Sequence, residues 1–315
     1  MIQSAQSRII VLGAGFIGTS FAAAFLDSGA QVTLVEPDPS QRNAATNAIA
    51  AQTKAIRVAG LRLGRTGDLS LLADAESAFA DADLVIECGP ENLGVKQKIF
   101  GKVLARTTQG TILATASSAI TMSQILPDQA LQSRCLVAHP VNPPAVLRLI
   151  ELVPAPGTLP SVIDAASQIF SAVGFEPVIL RHEVEGFLLN RLQSTVLREA
   201  YRLISEGVAS VSDIDTVMRL GLGPRWALSG PFETAELNTP GGIRAHAARM
   251  GPAYKRIGES RGETVEWTAD LVAQVEAERR KILPETNLAE RTDWRVTAVA
   301  RLVAARDQIS RDSHD

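Results

Sequence analysis

Short runs of apolar residues alternate with amphipathic segments over the first part of the chain. The apolar runs resemble buried strands and lie at residues 8–12, 31–35, 83–87 and 111–115. The amphipathic segments repeat apolar residues at helical spacing, which predicts helices at 19–26, 39–60, 70–80 and 92–106. Alternation of strands and helices is typical of a doubly wound, mostly parallel sheet, so we predict a Rossmann-type α/β domain.

The pattern changes after residue 183. Before it, further strands and one helix complete the alternation, at residues 135–138, 147–153, 159–173 and 176–180. After it, apolar residues recur at helical spacing and strand-like runs disappear. We therefore predict two domains, an α/β domain over residues 1–183 and an all-helical C-terminal domain over residues 184–315.

A glycine-rich turn follows the first predicted strand and opens the first predicted helix. The motif is Gly-x-Gly-x-x-Gly, and its turn consists of Gly13, Ala14, Gly15, Phe16, Ile17 and Gly18. Its glycines allow a tight turn, close approach of the backbone to a pyrophosphate, and close packing of the helix on the strand. The helix N-terminus adds amide donors for the anion. We predict a dinucleotide site that includes Gly13, Gly15, Phe16, Ile17 and Gly18.

Glu36 ends the second predicted strand, where dinucleotide-binding domains recognise the adenosine ribose. A carboxylate there accepts hydrogen bonds from both ribose hydroxyls and repels a 2′-phosphate, which favours NAD over NADP. Arg42 nearby is the residue that would favour the phosphate. The alternative for Glu36 is an ordinary surface carboxylate.

His139 and Glu151 are the candidate acid–base pair. Each belongs to an apolar segment, and two adjacent extended segments would bring the two side chains face to face. A carboxylate bonded to one imidazole nitrogen fixes the tautomer and stabilises the imidazolium that forms when the other nitrogen takes a proton. Pro143 and Pro144 stiffen the intervening loop. A purely structural His–Glu pair is the alternative, and the upstream nucleotide motif favours the chemical role.

Composition and charge exclude several classes of partner. The 31 Lys and Arg residues nearly balance 34 Asp and Glu residues, for a net charge of -3, so no basic surface indicates nucleic acid or an anionic membrane. No apolar run reaches the roughly 18–20 residues that span a bilayer. We expect no signal peptide, because the first predicted strand follows the N-terminus almost directly. We expect a cytoplasmic protein without a metal site.

Several motifs in order resemble the 3-hydroxyacyl-CoA dehydrogenase superfamily over essentially the whole chain. Within it, the chain is most similar to the lambda-crystallin / L-gulonate 3-dehydrogenase branch. The motifs that carry the resemblance lie at residues 13–18, 87–96, 117–118, 138–144, 151–154, 186–193, 213–215 and 221–231.

The resemblance implies roles for individual residues. His139 would be the general base, Glu151 would orient it, Ser117 would bond the reacting oxygen, and Asn190 would hold that oxygen or the adjacent carbonyl. Glu91 and Lys96 would contact the ribose and nicotinamide side of NAD. Asn142, in the loop after His139, would also bind the cofactor. The resemblance also implies a homodimer through the helical domain.

The substrate prediction depends on two departures from the acyl-CoA enzymes. Those enzymes resemble one another in a Lys-rich helical hairpin after the second strand, whereas residues 43–67 here are mostly Ala, Ile, Leu and Gly with scattered bases. Such a surface is poorly suited to several phosphates. In the second domain, Arg225 replaces a short neutral turn and can hold a free carboxylate. The alternative for Arg225 is a surface or dimer contact.

We therefore expect NAD-dependent oxidation of the L-3-hydroxyl group of a small free acid, such as L-gulonate, to the 3-keto acid. L-Carnitine 3-dehydrogenase is an alternative, with Trp226 and Trp267 available to pack against a quaternary ammonium. L-3-Hydroxyacyl-CoA dehydrogenase is another. A crystallin-like structural or NAD-binding protein is the alternative outside the enzymes, and loss of His139, Glu151 or Ser117 would favour it. All three residues are present.

Overall fold

The computed structural model describes most of the chain. The described residues are 7–74, 78–237, 242–262, 270, 273, 277, 281, 284–287, 290, 293–294, 297–298, 300–302, 304–305, 308 and 311. The chain divides into two compact units, one of residues 1–192 with 294–307 and one of residues 193–293 with 308–315. The predicted domain boundary at 183/184 stays a prediction, because this division falls inside a helix.

An eight-stranded sheet forms the centre of the first unit, in the order β3-β2-β1-β4-β5-β6-β7-β8. Its strands are β1 (Arg8–Leu12), β2 (Gln31–Val35), β3 (Leu69–Leu72), β4 (Leu84–Glu87), β5 (Ile112–Thr115), β6 (Cys135–Pro140), β7 (Leu149–Pro154) and β8 (Glu176–Ile179). All neighbours pair in parallel except β6 and β7, which are antiparallel. The predicted doubly wound, mostly parallel sheet is confirmed.

Helices cover both faces of the sheet. In the first unit these are α1 (Phe16–Asp27), α2 (Pro39–Val58), α3 (Leu93–Arg106), α4 (Met122–Ile125) and α5 (Pro160–Ala172). Along β1, Ile9 and Val11 belong to one buried cluster and Ile10 to another, because successive strand residues face opposite sides. Both faces are therefore buried, which explains why the strands read as continuous apolar runs.

Local capping sets where two of the helices begin. The side chain of Asp38 accepts hydrogen bonds from the amides of Ser40 and Gln41, and Pro39 occupies the first helical position of α2. The side chain of Asn92 accepts from the amide of Val95 at the start of α3. These caps place α2 directly after Glu36 and α3 directly after Glu91, so both helices begin beside candidate site residues.

The helix predicted at 70–80 is wrong. Residues 69–72 form the edge strand β3, in parallel register with β2 from Val32↔Leu69 to Val35↔Leu72. A short 3₁₀ turn, Phe79–Asp81, then leads to β4. The leucine-rich segment has no strong local preference, and pairing with the exposed edge of β2 decided its structure. Residues 75–77 of the prediction lie outside the described residues.

The described elements of the second unit are all helical. Its elements are α6 (Leu189–Ser205), which begins in the first unit, α7 (Val211–Val217), a π-helical turn (Met218–Leu222), α8 (Gly223–Leu237) and α9 (Gly242–Ser260). Arg261, which directly follows α9, forms ion pairs with Glu199 on α6 and with Glu206 directly after α6, at 3.1 Å and 2.7 Å. The predicted helical C-terminal region is confirmed. None of the described helices is both long and apolar enough to cross a bilayer.

Candidate active site

The candidate residues of the first unit collect at one edge of the sheet. The glycine-rich turn follows β1, Glu87 ends β4, and Ser117 follows β5. Because the carboxyl ends of parallel strands meet at the same edge, these segments lie side by side, and ligands of doubly wound folds bind at this edge.

The glycine-rich turn has the shape that a dinucleotide requires. Gly13 has a positive φ of 108°, and a Cβ on Gly18 would lie only 1.9 Å from the carbonyl oxygen of Gly13. A Cβ on Gly15 would meet nothing within 4 Å. Gly15 is also the N-cap of α1 and provides no side-chain hydrogen bond to the helix. The capping residue therefore does not occupy the backbone amides of the first turn of α1, and these amides can bind an anion such as a pyrophosphate.

Glu36 ties this turn to the end of β2. Its Oε2 accepts a hydrogen bond from the amide of Ala14 at 2.9 Å, and its Oε1 accepts one from the amide of Asp38 at 3.0 Å. Arg42 donates from Nη1 to the carbonyl oxygens of Glu36 and Pro37, at 2.6 Å and 3.1 Å. Gly13, Gly15 and Glu36 line a cavity of about 600 Å³. Glycine turn, acidic strand end and cavity together fit the adenosine half of NAD.

His139 and Glu151 face each other across the antiparallel pair β6–β7. They are direct partners in the register, and His139 Nδ1 lies 2.7 Å from Glu151 Oε2. The other carboxylate oxygen accepts hydrogen bonds from the amides of Leu188 and Leu189, at 2.8 Å and 2.9 Å. Burial of Glu151 opposes ionisation, but the hydrogen bonds from these three residues outweigh it and lower the pKa of the carboxyl.

A buried cluster of charges lies behind the loop that follows β5. Lys96 is 1% exposed, and its Nζ lies 2.8 Å from Glu87 Oε2 and 3.3 Å from Glu91 Oε2. Thr115 Oγ1 donates to Glu87 Oε2 at 2.6 Å. Glu91 Oε1 accepts from the amides of Ser118 and Ala119, at 3.0 Å and 3.2 Å. The ammonium of Lys96, which is shielded from solvent, thus binds Glu91, the carboxylate that holds the loop after β5.

Ser117 and Ser118 have different surroundings. Ser117 is 1% exposed, and its hydroxyl donates to Glu91 Oε1 at 2.5 Å and accepts from the amide of Ile120 at 2.8 Å. Ser118 is exposed, its hydroxyl lies 3.4 Å from Glu91 Oε1, and its carbonyl oxygen accepts a hydrogen bond from Asn190 Nδ2 at 2.7 Å. The hydroxyl proton of Ser117 is therefore already used within the protein, while Ser118 and Asn190 meet at the surface.

Most of the predicted site residues belong to the first unit. Asn142 is exposed in the connection between β6 and β7. Arg225 belongs to the second unit, where it lies exposed on α8 and donates from Nε to the carbonyl oxygen of Gly221 at 3.2 Å. Trp267, predicted as one possible wall for an ammonium, lies outside the described residues.

The sequence interpretation missed the structural parts of Glu87, Thr115 and Phe187. Glu87 read as the last residue of an apolar strand, and an acidic residue in a run of buried positions was the signal that it needs a cationic partner. Phe187 has a positive φ of 51°, and its ring centroid lies 5.5 Å from that of His139. Its glycine neighbour, Gly186, was the signal for an unusual backbone there.

Comparisons with known proteins match most of the chain to one family. Residues 8–184 match the family model described as 3-hydroxyacyl-CoA dehydrogenase, NAD binding domain, and residues 186–281 match the C-terminal domain of the same family. Lambda-crystallin of Oryctolagus cuniculus is 34% identical over 317 residues, which covers 98% of this chain and 99% of the relative. An L-carnitine dehydrogenase of Streptomyces griseus is 35% identical over 248 residues, covering 78% and 74%.

A solved structure supports the same fold. The 3-hydroxyacyl-CoA dehydrogenase of Archaeoglobus fulgidus superposes with a TM-score of 0.68 at 25% identity, covering 86% of this chain and 87% of that one.

Two alanine substitutions in the glycine turn should separate fold from cofactor binding. Gly18→Ala forces its Cβ against backbone that cannot move away, so we expect it to lower the free energy of unfolding by about 1–3 kcal/mol. Gly15→Ala meets no protein atom but obstructs the approach of a pyrophosphate. It should leave stability within about 0.5 kcal/mol and weaken NAD binding about tenfold or more. Denaturant unfolding and calorimetric NAD titration of each variant check both effects. Wild-type affinity in Gly15→Ala would contradict the proposed position of the pyrophosphate.

Proposed function

The chain belongs to the 3-hydroxyacyl-CoA dehydrogenase family, and we propose that it oxidises the L-3-hydroxyl group of a small free acid to the 3-keto acid. Family membership makes it an NAD-dependent oxidoreductase that acts on a CH–OH group. The nature of the acid and the roles of single residues are the proposal. The observation that carries it is the buried His139–Glu151 pair in the same unit as the dinucleotide turn.

His139 is the general base in this proposal. Its Nδ1 is bonded to Glu151, so Nε2 is the nitrogen left to take the proton of the substrate hydroxyl. The ionised Glu151 then stabilises the imidazolium that forms. Bound NAD would supply the acceptor for the hydride that leaves the same carbon. Hydrogen bonds that lower the pKa of Glu151 keep its carboxylate ionised for this task.

Ser118 takes the role that the sequence interpretation gave to Ser117. The Ser117 hydroxyl donates to Glu91 Oε1 in a short hydrogen bond of 2.5 Å, whereas the Ser118 hydroxyl lies 3.4 Å from the same oxygen, a long contact that a ligand can replace more easily. Ser118 is exposed, and its backbone is bonded to Asn190. We therefore assign Ser118 and Asn190 as the donors that hold the reacting oxygen or its neighbour. Ser117 instead helps Glu91 to hold the loop.

Glu91 and Lys96 divide the cofactor role that was predicted for both. Glu91 has a side chain that is 41% exposed and can still face a ribose. Lys96 has a side chain that is 1% exposed, and it bonds Glu87 and Glu91. In this proposal Lys96 acts on NAD only through Glu91. Glu36 and the turn from Gly13 to Gly18 hold the other half of the cofactor.

Charge favours a free acid over an acyl-CoA. In the segment that the acyl-CoA enzymes devote to the CoA arm, Arg62 is engaged by the buried Asp27 at 3.3 Å, and the other bases are scattered. Arg225 is an exposed cation able to form a bidentate pair with a carboxylate. L-Carnitine is the second candidate because Trp226 follows Arg225 and is 37% exposed, which offers a face for an ammonium.

A substrate panel tests the proposed function. NADH absorbance should rise with NAD and a small free acid such as L-gulonate, and should stay flat with an L-3-hydroxyacyl-CoA. L-Carnitine and L-3-hydroxybutyrate complete the panel and decide between the free acids. Turnover of the CoA ester alone would overturn the proposal. Absence of turnover with every substrate, together with intact NAD binding, would favour a structural or NAD-binding role.

Two variants provide the control for this panel. His139→Ala should lower kcat by a factor on the order of 10²–10⁴, and Ser118→Ala by a factor on the order of 10²–10³. Each substitution removes a group that acts on the reacting hydroxyl. NAD affinity should stay close to that of the wild type in both. Ser117→Ala should mainly lower stability, since it removes a hydrogen bond to Glu91. A larger fall of kcat in Ser117→Ala than in Ser118→Ala would return the role to Ser117.

Arg225→Ala tests the carboxylate anchor. Loss of a charge-assisted pair should weaken substrate binding by about 2 kcal/mol and so raise KM for the free acid roughly thirtyfold. Arg219→Ala is the matched control, because it removes the same charge from an exposed position in the preceding helical turn and should leave KM nearly constant. An unchanged KM in Arg225→Ala would contradict the assignment. If the variant also sediments at a lower mass than the wild type, Arg225 serves a dimer contact instead.

A further inference from the structure

The chain reaches α6 through a turn of two consecutive residues with positive φ. Gly186 has φ 76° and Phe187 has φ 51°. Glycine adopts this conformation readily, but a residue with a Cβ does so rarely, and an aromatic one needs support from its surroundings. Phe187 is completely buried, and its ring lies against the imidazole of His139 with centroids 5.5 Å apart. The turn therefore places an aromatic wall beside the proposed base.

The support for this turn comes from Glu151. The amides of Leu188 and Leu189, which follow Phe187 directly, both donate to Glu151 Oε1. These amides stand at the N-terminus of α6, where a helix lacks internal partners for its donors and favours a negative charge. Glu151 Oε2 is bonded to His139. One buried carboxylate thus joins the base to the start of a helix.

Asn190 is the next residue on that helix. Its Nδ2 donates to the carbonyl oxygen of Ser118 at 2.7 Å, so its side chain lies on the serine loop. A shift of the first turn of α6 would move Asn190 away from Ser118. The distance between base and amide is therefore determined by the same carboxylate that orients the base.

We propose that Glu151 is a positioning residue for Asn190 as well as for His139, acting through the amides of Leu188 and Leu189. Phe187 completes the unit, because its left-handed backbone turns these two amides toward the carboxylate while its ring packs on the imidazole. This inference rests on the proposed function of His139 and Asn190. It adds a mechanical link between them that runs through backbone rather than through side chains.

A proline substitution can break this link at a single atom. Leu189 is the first residue of α6, a position where proline is well tolerated because its missing amide has no partner inside the helix. Leu189→Pro removes one of the three donors to Glu151 and leaves every polar side chain of the site in place. Leu189→Ala is the matched control, since it truncates the same side chain and keeps the amide.

The measured quantity is the ratio of kcat between Leu189→Pro and Leu189→Ala. We expect kcat of Leu189→Pro to be about tenfold or more below that of Leu189→Ala, with similar Kd for NAD. Hydrogen exchange over residues 186–192 should be faster in the proline variant, although both variants unfold at similar denaturant concentrations. Equal kcat and equal exchange in the two variants would overturn the proposal. Reduced stability of the whole proline variant, with kcat lost in proportion to the folded fraction, would overturn it as well.

A double-mutant cycle identifies Asn190 as the residue that is moved. If Leu189→Pro acts by displacing Asn190, then Asn190→Ala should lower kcat by a smaller factor in the Leu189→Pro background than in the Leu189→Ala background. Independent effects would multiply, and this result would contradict the link. The exchange measurement needs no substrate, so the inference fails separately from the proposed function. If no hydroxy acid is oxidised by the wild type, the function fails, whereas unequal exchange still supports the backbone link.

Discussion

The buried carboxylate of Glu151 is the interaction on which the arrangement of the site depends. It is 2% exposed, and it accepts hydrogen bonds from the imidazole of His139 and from two successive backbone amides. A buried carboxylate is stable only when hydrogen-bond donors replace the water that it has lost. Moving any of these donors away from Glu151 would therefore cost free energy, and this holds the donors in place. The reversal of direction between β6 and β7 provides the geometry, because it places His139 and Glu151 opposite each other.

A second buried charge system acts on the other side of the site by the same principle. Lys96 joins Glu87, which ends β4, to Glu91, which accepts hydrogen bonds from the loop after β5. Burial and the bonds from Ser117, Lys96 and Ser118 act on Glu91 in opposite directions, and the net effect is a lowered pKa. The carboxylates of Glu91 and Glu151, whose pKa values are both lowered, therefore stay ionised near neutral pH. One network holds the Ser118 loop, the other holds the start of α6, and the contact between Asn190 and Ser118 joins them.

The sequence predicted the parts of the fold that depend on local pattern and spacing. The glycine turn, most strands and the facing of His139 and Glu151 follow from apolar periodicity and from the two segments that carry the pair. Strand β3 was missed because its structure depends on the free edge of β2 rather than on its own residues. The choice between Ser117 and Ser118 depends on a similar long-range contact, and the role of either serine stays a prediction. Adjacent serines have the same chemistry, and the position of Glu91 decides how closely each hydroxyl approaches its carboxylate, at 2.5 Å for Ser117 and 3.4 Å for Ser118. Burial of Lys96 likewise depends on two carboxylates brought together by the fold.

The most direct test of this account is kcat of Glu151→Gln with the acid that the wild type oxidises. Glutamine keeps an oxygen for the amides of Leu188 and Leu189, but its amide donates to Nδ1 of His139 and therefore leaves the proton on the nitrogen that should act as the base. The account predicts that kcat falls by a factor on the order of 10²–10⁴ while the protein remains folded and binds NAD. A kcat within about threefold of the wild-type value would contradict the claim that Glu151 selects the tautomer of the base.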